Sequence, residues 1–287
     1  MATKYSICDG TFIGHAIASQ FDASLGLAYH AAESLLEKDN FDGPDILSRY
    51  LNYFDREKSE VGGIIKLLHT ESRAYQPVDA SNRFLFHQRY IADMVRTVDQ
   101  KVNGQTTGCS PAQRSFPLAL FPKIQTDDLF RIVLEEAKLT HQNPIAGQVA
   151  GIVNLIIRYL LEANDWNSAI QKAFQQPNLH ADVSSIQVKY FRFSKVNANS
   201  DHSYSPNALA AALYHVSCSK TAGEAITEAQ KQEKAYCTPI TGIIAGARWG
   251  ISMELYSDFV NDTQMKKIRV VASRLSELWN SEKGVTA

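Results

Sequence analysis

The sequence predicts a mainly α-helical protein with one substantial core or at most two domains. Apolar residues recur at helical spacing along most of the chain, and long strand-like alternations of apolar and polar residues are nearly absent. The 287 residues are 45% hydrophobic, which is enough apolar material for a core of that size. The chain has no internal repeat and no low-complexity segment, so a repeat architecture is not expected.

Helical periodicity predicts six helices in the N-terminal part of the chain. They run over 12–19, 25–38, 44–54, 61–68, 84–102 and 118–121. In the second helix, Leu25 and Ala28 share an apolar face, and Asp39 follows its last turn. Pro44 suits the first turn of the third helix, because the N–H that proline lacks has no helical partner there. Residues 104–108 begin and end with glycine and predict a loop.

A cap signal precedes the next predicted helix, 129–136. Thr126, Asp127 and Asp128 stand immediately before its first apolar residue. Threonine and aspartate oxygens accept hydrogen bonds from the free N–H groups of a helix start, and carboxylates are favoured at its positive end. We therefore interpret these three residues as a helix cap.

The C-terminal part predicts six further helices and one polar, interrupted segment. The helices run over 145–163, 166–174, 206–216, 222–233, 240–259 and 265–278. The segment 176–206 is polar. Within it, 186–193 alternates apolar and polar residues, which predicts a short extended segment.

Composition excludes several classes of function. The net charge of −1, from 29 basic and 30 acidic residues, argues against nucleic-acid or membrane-surface binding through bulk charge. The longest apolar stretch, 146–161, is interrupted by polar residues, and the first residues do not resemble a signal peptide. The four cysteines form no Cys-x-x-Cys pair, and we expect reduced thiols in a cytoplasmic protein.

Five separate segments, in order, resemble motifs of the ADP-ribosylglycohydrolase family. They are 10–16 (Gly-x-x-x-Gly-His-Ala), 109–118 (an arginine loop with Arg114), 139–144 (Leu-Thr-His-Gln-Asn-Pro), 205–213 (a small-residue helix) and 238–250 (the family's signature helix). Each motif alone is weak, but the ordered set is moderately specific and extends over roughly the whole chain. Thr126-Asp127-Asp128 resembles a family metal motif as well, but it stands at the wrong place in the chain order.

The resemblance implies a single domain over 1–287 with the family's fold, a compact orthogonal bundle of helices. Family enzymes bind two magnesium ions in a central cleft. They remove ADP-ribose from modified side chains, mainly arginine or serine, or act on related ADP-ribosyl compounds. Some relatives are not enzymes, lens crystallins among them.

This sequence departs from the family at the metal ligands. The early Thr-Asp-Asp-Thr motif corresponds best to 21–24, which keeps only Asp22. In the late Asp-x-Asp-Thr loop the aspartates are replaced by Cys237 and Pro239, and the aspartate of the opening helix is replaced by His15. Because a divalent cation of this kind needs several oxygen ligands, one carboxylate cannot hold a magnesium pair. We therefore expect no metal and no cofactor.

Asp22 and His15 are the candidate catalytic residues. Asp22 is a preferred capping type for the helix that follows, and a functional contact is compatible with that role. His15 is interpreted either as a buried histidine satisfied by backbone groups or as a base beside Asp22. The spacing of seven residues places both on one helical side only if the helix continues past Ser19.

The matched motifs also predict the residues of a ligand-binding cleft. They are Cys109, Ser110, Arg114, His141, Tyr236 and Cys237. Arg114 is interpreted as tying loop carbonyls to the core, with a phosphate contact as the alternative. His141 is interpreted as a packed loop histidine. Cys237 with His15 would make a nucleophile, although most free cysteines are inert and buried.

Three functions remain open at this point. The first is a pseudoenzyme of the family with a binding, scaffold or regulatory role, whose partner is an ADP-ribose-like ligand or a protein. The second is a metal-independent glycosidic hydrolase in which Asp22 stabilises an oxocarbenium ion and His15 acts as acid or base. The third is a purely structural protein. A roomy cleft would favour the enzyme, and a cleft filled by Phe21, Tyr236 and Trp249 would favour a scaffold.

Overall fold

The fold is built from helices throughout the part of the chain that the structure describes. The computed structural model describes residues 4–57, 62–187, 203–231 and 236–281. Within these ranges the backbone forms helices and two isolated β-bridges, without a strand. The prediction of an all-α fold is therefore confirmed.

Sixteen α-helices lie wholly within the described ranges. They are α1 Lys4–Ser19, α2 Ala23–Lys38, α3 Gly43–Glu57, α4 Gly63–Glu71, α5 Gln88–Lys101, α6 Ser110–Arg114, α7 Pro117–Leu120, α8 Thr126–Ala137, α9 Pro144–Leu161, α10 Trp166–Ala173, α11 Ala181–Ser184, α12 Ser205–Cys218, α13 Ala222–Gln230, α14 Cys237–Trp249, α15 Met253–Tyr256 and α16 Thr263–Ser281. Short 3₁₀ turns follow α4 and α15.

Three predicted elements differ from the structure. The first helix begins at Lys4, well before the predicted 12, because its N-terminal residues pack against α14 and α16. The predicted helix 240–259 ends at Trp249, because Gly250 has a φ of 72° that a right-handed helix cannot contain. In the predicted extended segment 186–193, residues 186–187 are helical, and 188–193 lie outside the described residues.

The predicted cap at Thr126-Asp127-Asp128 is wrong. These residues form the first turn of α8, whose N-cap is Gln125 and makes no side-chain cap hydrogen bond. The Thr126 hydroxyl instead donates to the Glu162 carboxylate. The two aspartates still lie in the first turn, where the partial positive charge of the helix start favours them.

The closest helix contact in the fold joins α1 to α14. The two helices cross through paired glycines, Gly10 with Gly246 and Gly14 with Gly242. A Cβ built on Gly14 would overlap the carbonyl oxygen of Gly242, and one on Gly246 would overlap that of Gly10. Each helix spaces its glycines four residues apart, so both lie on one helical face and let the backbones touch. The pairing runs antiparallel and fixes α1 against the signature helix.

The centre of the bundle is α9. It is the one described helix long and apolar enough to cross a membrane by length and composition, and 78% of its apolar window is buried inside the fold. Its buried Arg158 donates to backbone carbonyls of residues 118–124, including those of Ala119 and Phe121. These bonds explain how a cation is tolerated in the core: its donors satisfy carbonyls that α7 and the following turn leave free.

The buried apolar residues form two clusters. The larger one contains residues of α1, α2, α9 and α12 to α16. The smaller one lies among α3, α4 and α5 and is closed by Leu27 and Leu139. The start of α2 lies beside the α1–α14 contact, which positions Asp22 near the start of the signature helix.

Candidate functional site

Asp22 is the N-cap of α2. The chain leaves α1 through Gln20 and Phe21, whose φ values of 53° and 59° turn it sharply into the next helix. Oδ1 of Asp22 accepts hydrogen bonds from Ser24 N at 3.0 Å and Leu25 N at 3.3 Å. It also accepts the Ser24 hydroxyl proton at 2.6 Å. The capping role predicted for Asp22 is confirmed.

His15 is joined to Asp22 through Ser24. The imidazole is fully buried, and its Nε2 lies 3.1 Å from the Ser24 hydroxyl. Because that hydroxyl gives its proton to Asp22, Nε2 carries a proton and donates to Ser24. Nδ1 is buried and has no hydrogen-bond partner among the described residues. The interpretation of His15 as satisfied by backbone groups is therefore wrong.

The sequence spacing of His15 and Asp22 suggested that they share a helical side only if α1 continues past Ser19, but the structure joins them in another way. The helix ends at Ser19, yet Ser24 connects His15 to Asp22, because the left-handed turn brings the start of α2 back onto α1. Ser24 was missed by the sequence analysis. Its position two residues after a capping aspartate was the available signal, since serine there hydrogen-bonds the cap.

Electrostatics keep His15 neutral. Burial lowers the pKa of His15 to about 4, against the opposing attraction of Asp22. At neutral pH the imidazole is therefore uncharged and enclosed by the core, with the Phe116 ring centroid 5.6 Å from its own. It is poorly placed to give a proton to a leaving group, which requires a protonated and accessible acid.

Cys237 opens the signature helix α14 and is fully buried. Burial raises the pKa of its thiol to about 11, so the thiolate needed for nucleophilic attack is scarce at neutral pH. The preceding residue, Tyr236, is 47% exposed, and its carbonyl accepts a hydrogen bond from Gln113 at 3.0 Å. The geometry favours the inert interpretation of Cys237.

Arg114 is fully buried and lies in a hydrogen-bond network that reaches the partly exposed Ser110. Its Nε donates to Glu136 Oε1 at 2.8 Å, Nη1 to the Ser110 hydroxyl at 3.0 Å, and Nη2 to the Thr140 hydroxyl at 2.8 Å. The Tyr50 hydroxyl donates to the same Glu136 oxygen at 2.8 Å. The guanidinium thus ties α3, α6 and α8 together through side chains. The interpretation that Arg114 binds loop carbonyls is therefore wrong, because its acceptors are side chains.

The remaining predicted cleft residues border this network. His141 Nδ1 lies 2.7 Å from the Thr140 hydroxyl, and burial together with the Arg114 cation lowers the pKa of His141 to about 3. Cys109 is buried one residue before Ser110. The six predicted cleft residues therefore divide into an enclosed set around Arg114 and the pair at the start of α14, and Gln113 links the two.

An opening lies beside Asp22 on the outer side of α2. It has a volume of about 220 Å³ and is lined by Asp22 together with the cations of Arg56 and Lys267. Phe21 is part of its wall, with its ring centroid 5.7 Å from that of Phe259. Trp249 is instead at the far end of α14. The three aromatic residues therefore do not fill one cleft together.

The residues at this end of the fold do not fit a pair of magnesium ions. No group of three or more histidine, cysteine, aspartate or glutamate side chains with metal-site geometry occurs in the described ranges. Asp22 is the carboxylate at the matched positions, and its Oδ1 is already engaged by three donors. The other nearby groups are a thiol and hydroxyls, whereas magnesium is held by carboxylates, carbonyls and water.

The comparisons with known proteins agree with the fold. A family model described as ADP-ribosylglycohydrolase matches residues 7–284. The chain belongs to the ADP-ribosylglycohydrolase family. The solved structure of an ADP-ribosylglycohydrolase-related protein complex is similar, with a TM-score of 0.69 and 18% identity over 97% of this chain and 99% of that one. No curated protein sequence matches the chain. The predicted family membership is thus confirmed, and the structural likeness shows the shared fold.

Proposed function

We propose that this ADP-ribosylglycohydrolase-family protein is a pseudoenzyme that binds and does not hydrolyse. The observation that carries the proposal is the state of Asp22. It is the carboxylate left at the family's metal positions, and it serves as a helix cap with three hydrogen bonds to one oxygen. A carboxylate so engaged, with the aspartates of the late family loop replaced by Cys237 and Pro239, supports neither a metal pair nor metal-activated water.

The opening beside Asp22 supports a binding role. Arg56 and Lys267 place two cations at its wall, together with the carboxylates of Asp22 and Glu57 and the aromatic side chains of Tyr29 and Tyr53. Cations and aromatic rings together suit a ligand that carries phosphates and a flat base. An ADP-ribose-like molecule has both, so we take it as the ligand class of this opening. A cytoplasmic location, expected from four cysteines that lie far apart in the sequence without a Cys-x-x-Cys pair, is part of the same proposal.

A metal-independent hydrolase is the second candidate, because His15, Ser24 and Asp22 form a continuous hydrogen-bonded series. Its weakness is the lowered pKa of His15, which leaves the imidazole neutral at neutral pH, without the second proton that a general acid would donate. Such an enzyme would lose turnover when either end of the series is removed.

Thermal unfolding with and without ADP-ribose, each at zero and millimolar magnesium, tests the proposal. A ligand that binds only the folded state must raise the unfolding midpoint. We expect ADP-ribose to raise it equally with and without magnesium, and Lys267→Gln to reduce the shift. Lys266→Gln is the matched control, because Lys266 is also exposed on α16 but does not line the opening.

Turnover is measured in parallel on an ADP-ribosylated arginine peptide and an ADP-ribosylated serine peptide. We expect no release of ADP-ribose under any condition. Release that needs magnesium would refute the pseudoenzyme. Release without magnesium that is lost in both Asp22→Ala and His15→Gln would establish the metal-independent hydrolase. No midpoint shift with ADP-ribose would contradict the proposed ligand and leave protein partners as the binding role to test.

A further inference from the structure

The outer face of α2 contributes a histidine to the opening beside Asp22. His30 lies in its wall, with its ring centroid 5.3 Å from that of Tyr29 and 5.2 Å from that of Tyr53. The His30 side chain is 24% exposed, so a ligand can reach it. An imidazole in the wall of an opening offers a ligand a hydrogen-bonding nitrogen, and its proton decides whether that nitrogen donates or accepts.

Glu33 fixes which nitrogen of His30 carries the proton. His30 Nδ1 lies 2.8 Å from Glu33 Oε2. Burial raises the pKa of Glu33, but hydrogen bonds from His30 and Tyr29 lower it overall to below its ordinary value. Because an ionised carboxylate only accepts hydrogen bonds, Nδ1 donates its proton to Glu33. In the neutral ring, Nε2 is therefore an acceptor.

The acceptor nitrogen belongs to the edge of the ring that is left for the opening. Glu33, which holds the Nδ1 edge, is not part of the wall, whereas His30 is. Nε2 has no hydrogen-bond partner among the residues that the structure describes. A ligand that donates an N–H to Nε2 would replace water there without breaking a bond within the protein.

Tyr53 gives the opening a flat and fixed wall. Its ring rests on the backbone of α2 at Gly26, where an added Cβ would lie 2.3 Å from the ring carbon Cζ. Tyr29 is held as well, because its hydroxyl donates a hydrogen bond to Glu33. Aromatic side chains that are fixed before binding favour stacking of a flat ring, since little side-chain entropy is lost.

Size and charge favour a neutral ring in the interior of the opening. The volume of about 220 Å³ is below the range of pockets that enclose drug-sized ligands, so only one part of a nucleotide enters it. Among the wall residues, the cations of Arg56 and Lys267 are balanced by the carboxylates of Asp22 and Glu57. A balanced wall favours neither a phosphate nor a cationic group in the interior, whereas a neutral heterocyclic base suits it. The phosphates then remain at the rim.

We propose that this opening is an adenine pocket and that His30 is its specificity-determining residue. The inference rests on the proposed function, in which an ADP-ribose-like molecule is the ligand of the opening. The base stacks on Tyr53, and its exocyclic amino group donates to His30 Nε2. Hypoxanthine has a carbonyl oxygen at the same position, which Nε2 repels, and unsubstituted purine has no donor there. Glu33 is a positioning residue, because it acts only through the His30 proton.

Isothermal titration of the full chain with ADP-ribose and two analogues tests the adenine pocket. The analogues carry hypoxanthine or unsubstituted purine in place of adenine, and the titrations are run at about pH 8, above the ordinary titration range of histidine. We expect ADP-ribose to bind about tenfold more tightly than either analogue, the effect of one lost hydrogen bond.

His30→Phe keeps an aromatic ring but removes the acceptor, so all three ligands should bind this variant with similar affinity. His69→Phe is the matched control. His69 also pairs with a carboxylate, that of Asp55, and contacts two aromatic rings, but it does not line the opening. It should leave the preference for adenine unchanged.

Glu33→Gln tests the fixed proton separately. An amide can donate to Nδ1 and move the ring proton to Nε2, so this variant should lose most of the preference for adenine. Glu37→Gln is the control, because Glu37 also lies on α2 and also pairs with Arg49, but it does not hold the His30 proton. Circular dichroism confirms that each variant is folded.

The outcomes separate this inference from the proposed function. Equal binding of all three ligands to the wild type would overturn the adenine pocket and leave the proposed function standing. A preference for adenine that survives in His30→Phe would overturn the role of His30. No binding of ADP-ribose to the wild type would refute the proposed ligand itself, and the adenine pocket with it.

Discussion

The two ends of the α1–α14 pair differ in how their polar groups are used. One end contains the start of α14 and Asp22, and we call it the family end. There Asp22 caps a helix, Ser24 joins it to His15, and the nearby Arg114 has a partner for each guanidinium nitrogen. At the other end, a cleft of about 860 Å³ is lined by Asp9, Lys220 and Glu254. The same two helices therefore have one end whose polar groups are largely enclosed in the core and one end whose charged side chains border an open cleft.

The residues that pack α1 against α14 are different from those that the family resemblance assigns to metal binding. The glycine contacts between α1 and α14 involve no metal ligand and no charged side chain. The presence of Cys237 and Pro239 where the family motif has aspartates therefore leaves the packing of α1 against α14 intact. A family fold can in this way keep its architecture while residues such as Asp22 take up structural bonds.

The largest expected effect comes from the two arginine–carboxylate pairs, one near each end. Arg114→Met should lower the free energy of unfolding by about 3–5 kcal/mol, because Glu136 would remain charged and buried without its partner. Arg269→Met should cost about 1 kcal/mol or less, since its pair with Asp9 is partly exposed and 3.5 Å long. Urea denaturation measures both, and equal losses would contradict the difference between the ends.

The glycine contact should be nearly as sensitive. Gly246→Ala should destabilise the protein by about 3 kcal/mol or prevent folding, because the added Cβ overlaps the Gly10 carbonyl and forces the helices apart. Gly63→Ala is the control, since its Cβ meets open space in α4, and it should change stability by about 0.5 kcal/mol or less. Similar urea midpoints for the two variants would show that the helices are not in close contact.

Acid should lower the free energy of unfolding through His15. His15 titrates at about 6.5 when unfolded and about 4 when folded, so between these values the unfolded chain binds more protons. Stability from this group is therefore present above pH 6.5 and lost as the pH falls towards 4, by about 2 kcal/mol from pH 7 to pH 5. His141 adds a loss of the same sign. His15→Gln should flatten the profile, and an unchanged slope would show that His15 is not buried neutral.

The two aspartates should show the smallest difference. Asp22→Ala should cost about 1 kcal/mol through loss of the α2 cap, and Asp165→Ala should also destabilise the protein, because Asp165 accepts the corresponding two backbone hydrogen bonds at the start of α10. Asp9→Asn should change stability by about 0.5 kcal/mol or less, since Oδ1 makes no hydrogen bond to lose. Chemical denaturation decides, and a larger loss for Asp9→Asn would mean that it has a structural partner.

Much of the fold was predictable because helical periodicity is local. The Leu25 face predicted α2, and Asp22 was recognised as its cap from residue type alone. The predicted helix 240–259 is wrong beyond Trp249, because glycine is tolerated within helical patterns and the pattern did not show that Gly250 adopts a positive φ beside Gly10. Local patterns cannot show such a contact between distant segments.

The candidate site was predicted less well for the same reason. Ser24 connects His15 to Asp22 because Gln20 and Phe21 adopt a left-handed backbone in the turn between α1 and α2. Neither residue type favours that conformation, so the sequence did not predict it. The partners of Arg114 come from α6, α8 and the residues after it, which sequence spacing does not bring together. The cleft of about 860 Å³ that is lined by Asp9, Lys220 and Trp249 is formed from three segments far apart in the chain, so no motif predicted it.

Calorimetric titration with magnesium tests the central claim, that the family end holds no metal pair, most directly. We predict no saturable heat in the full chain and identical traces for the wild type, Asp22→Ala and the cap control Asp165→Ala. Saturable binding that disappears in Asp22→Ala and persists in Asp165→Ala would contradict the account, because it would show that the capping carboxylate still binds the ion.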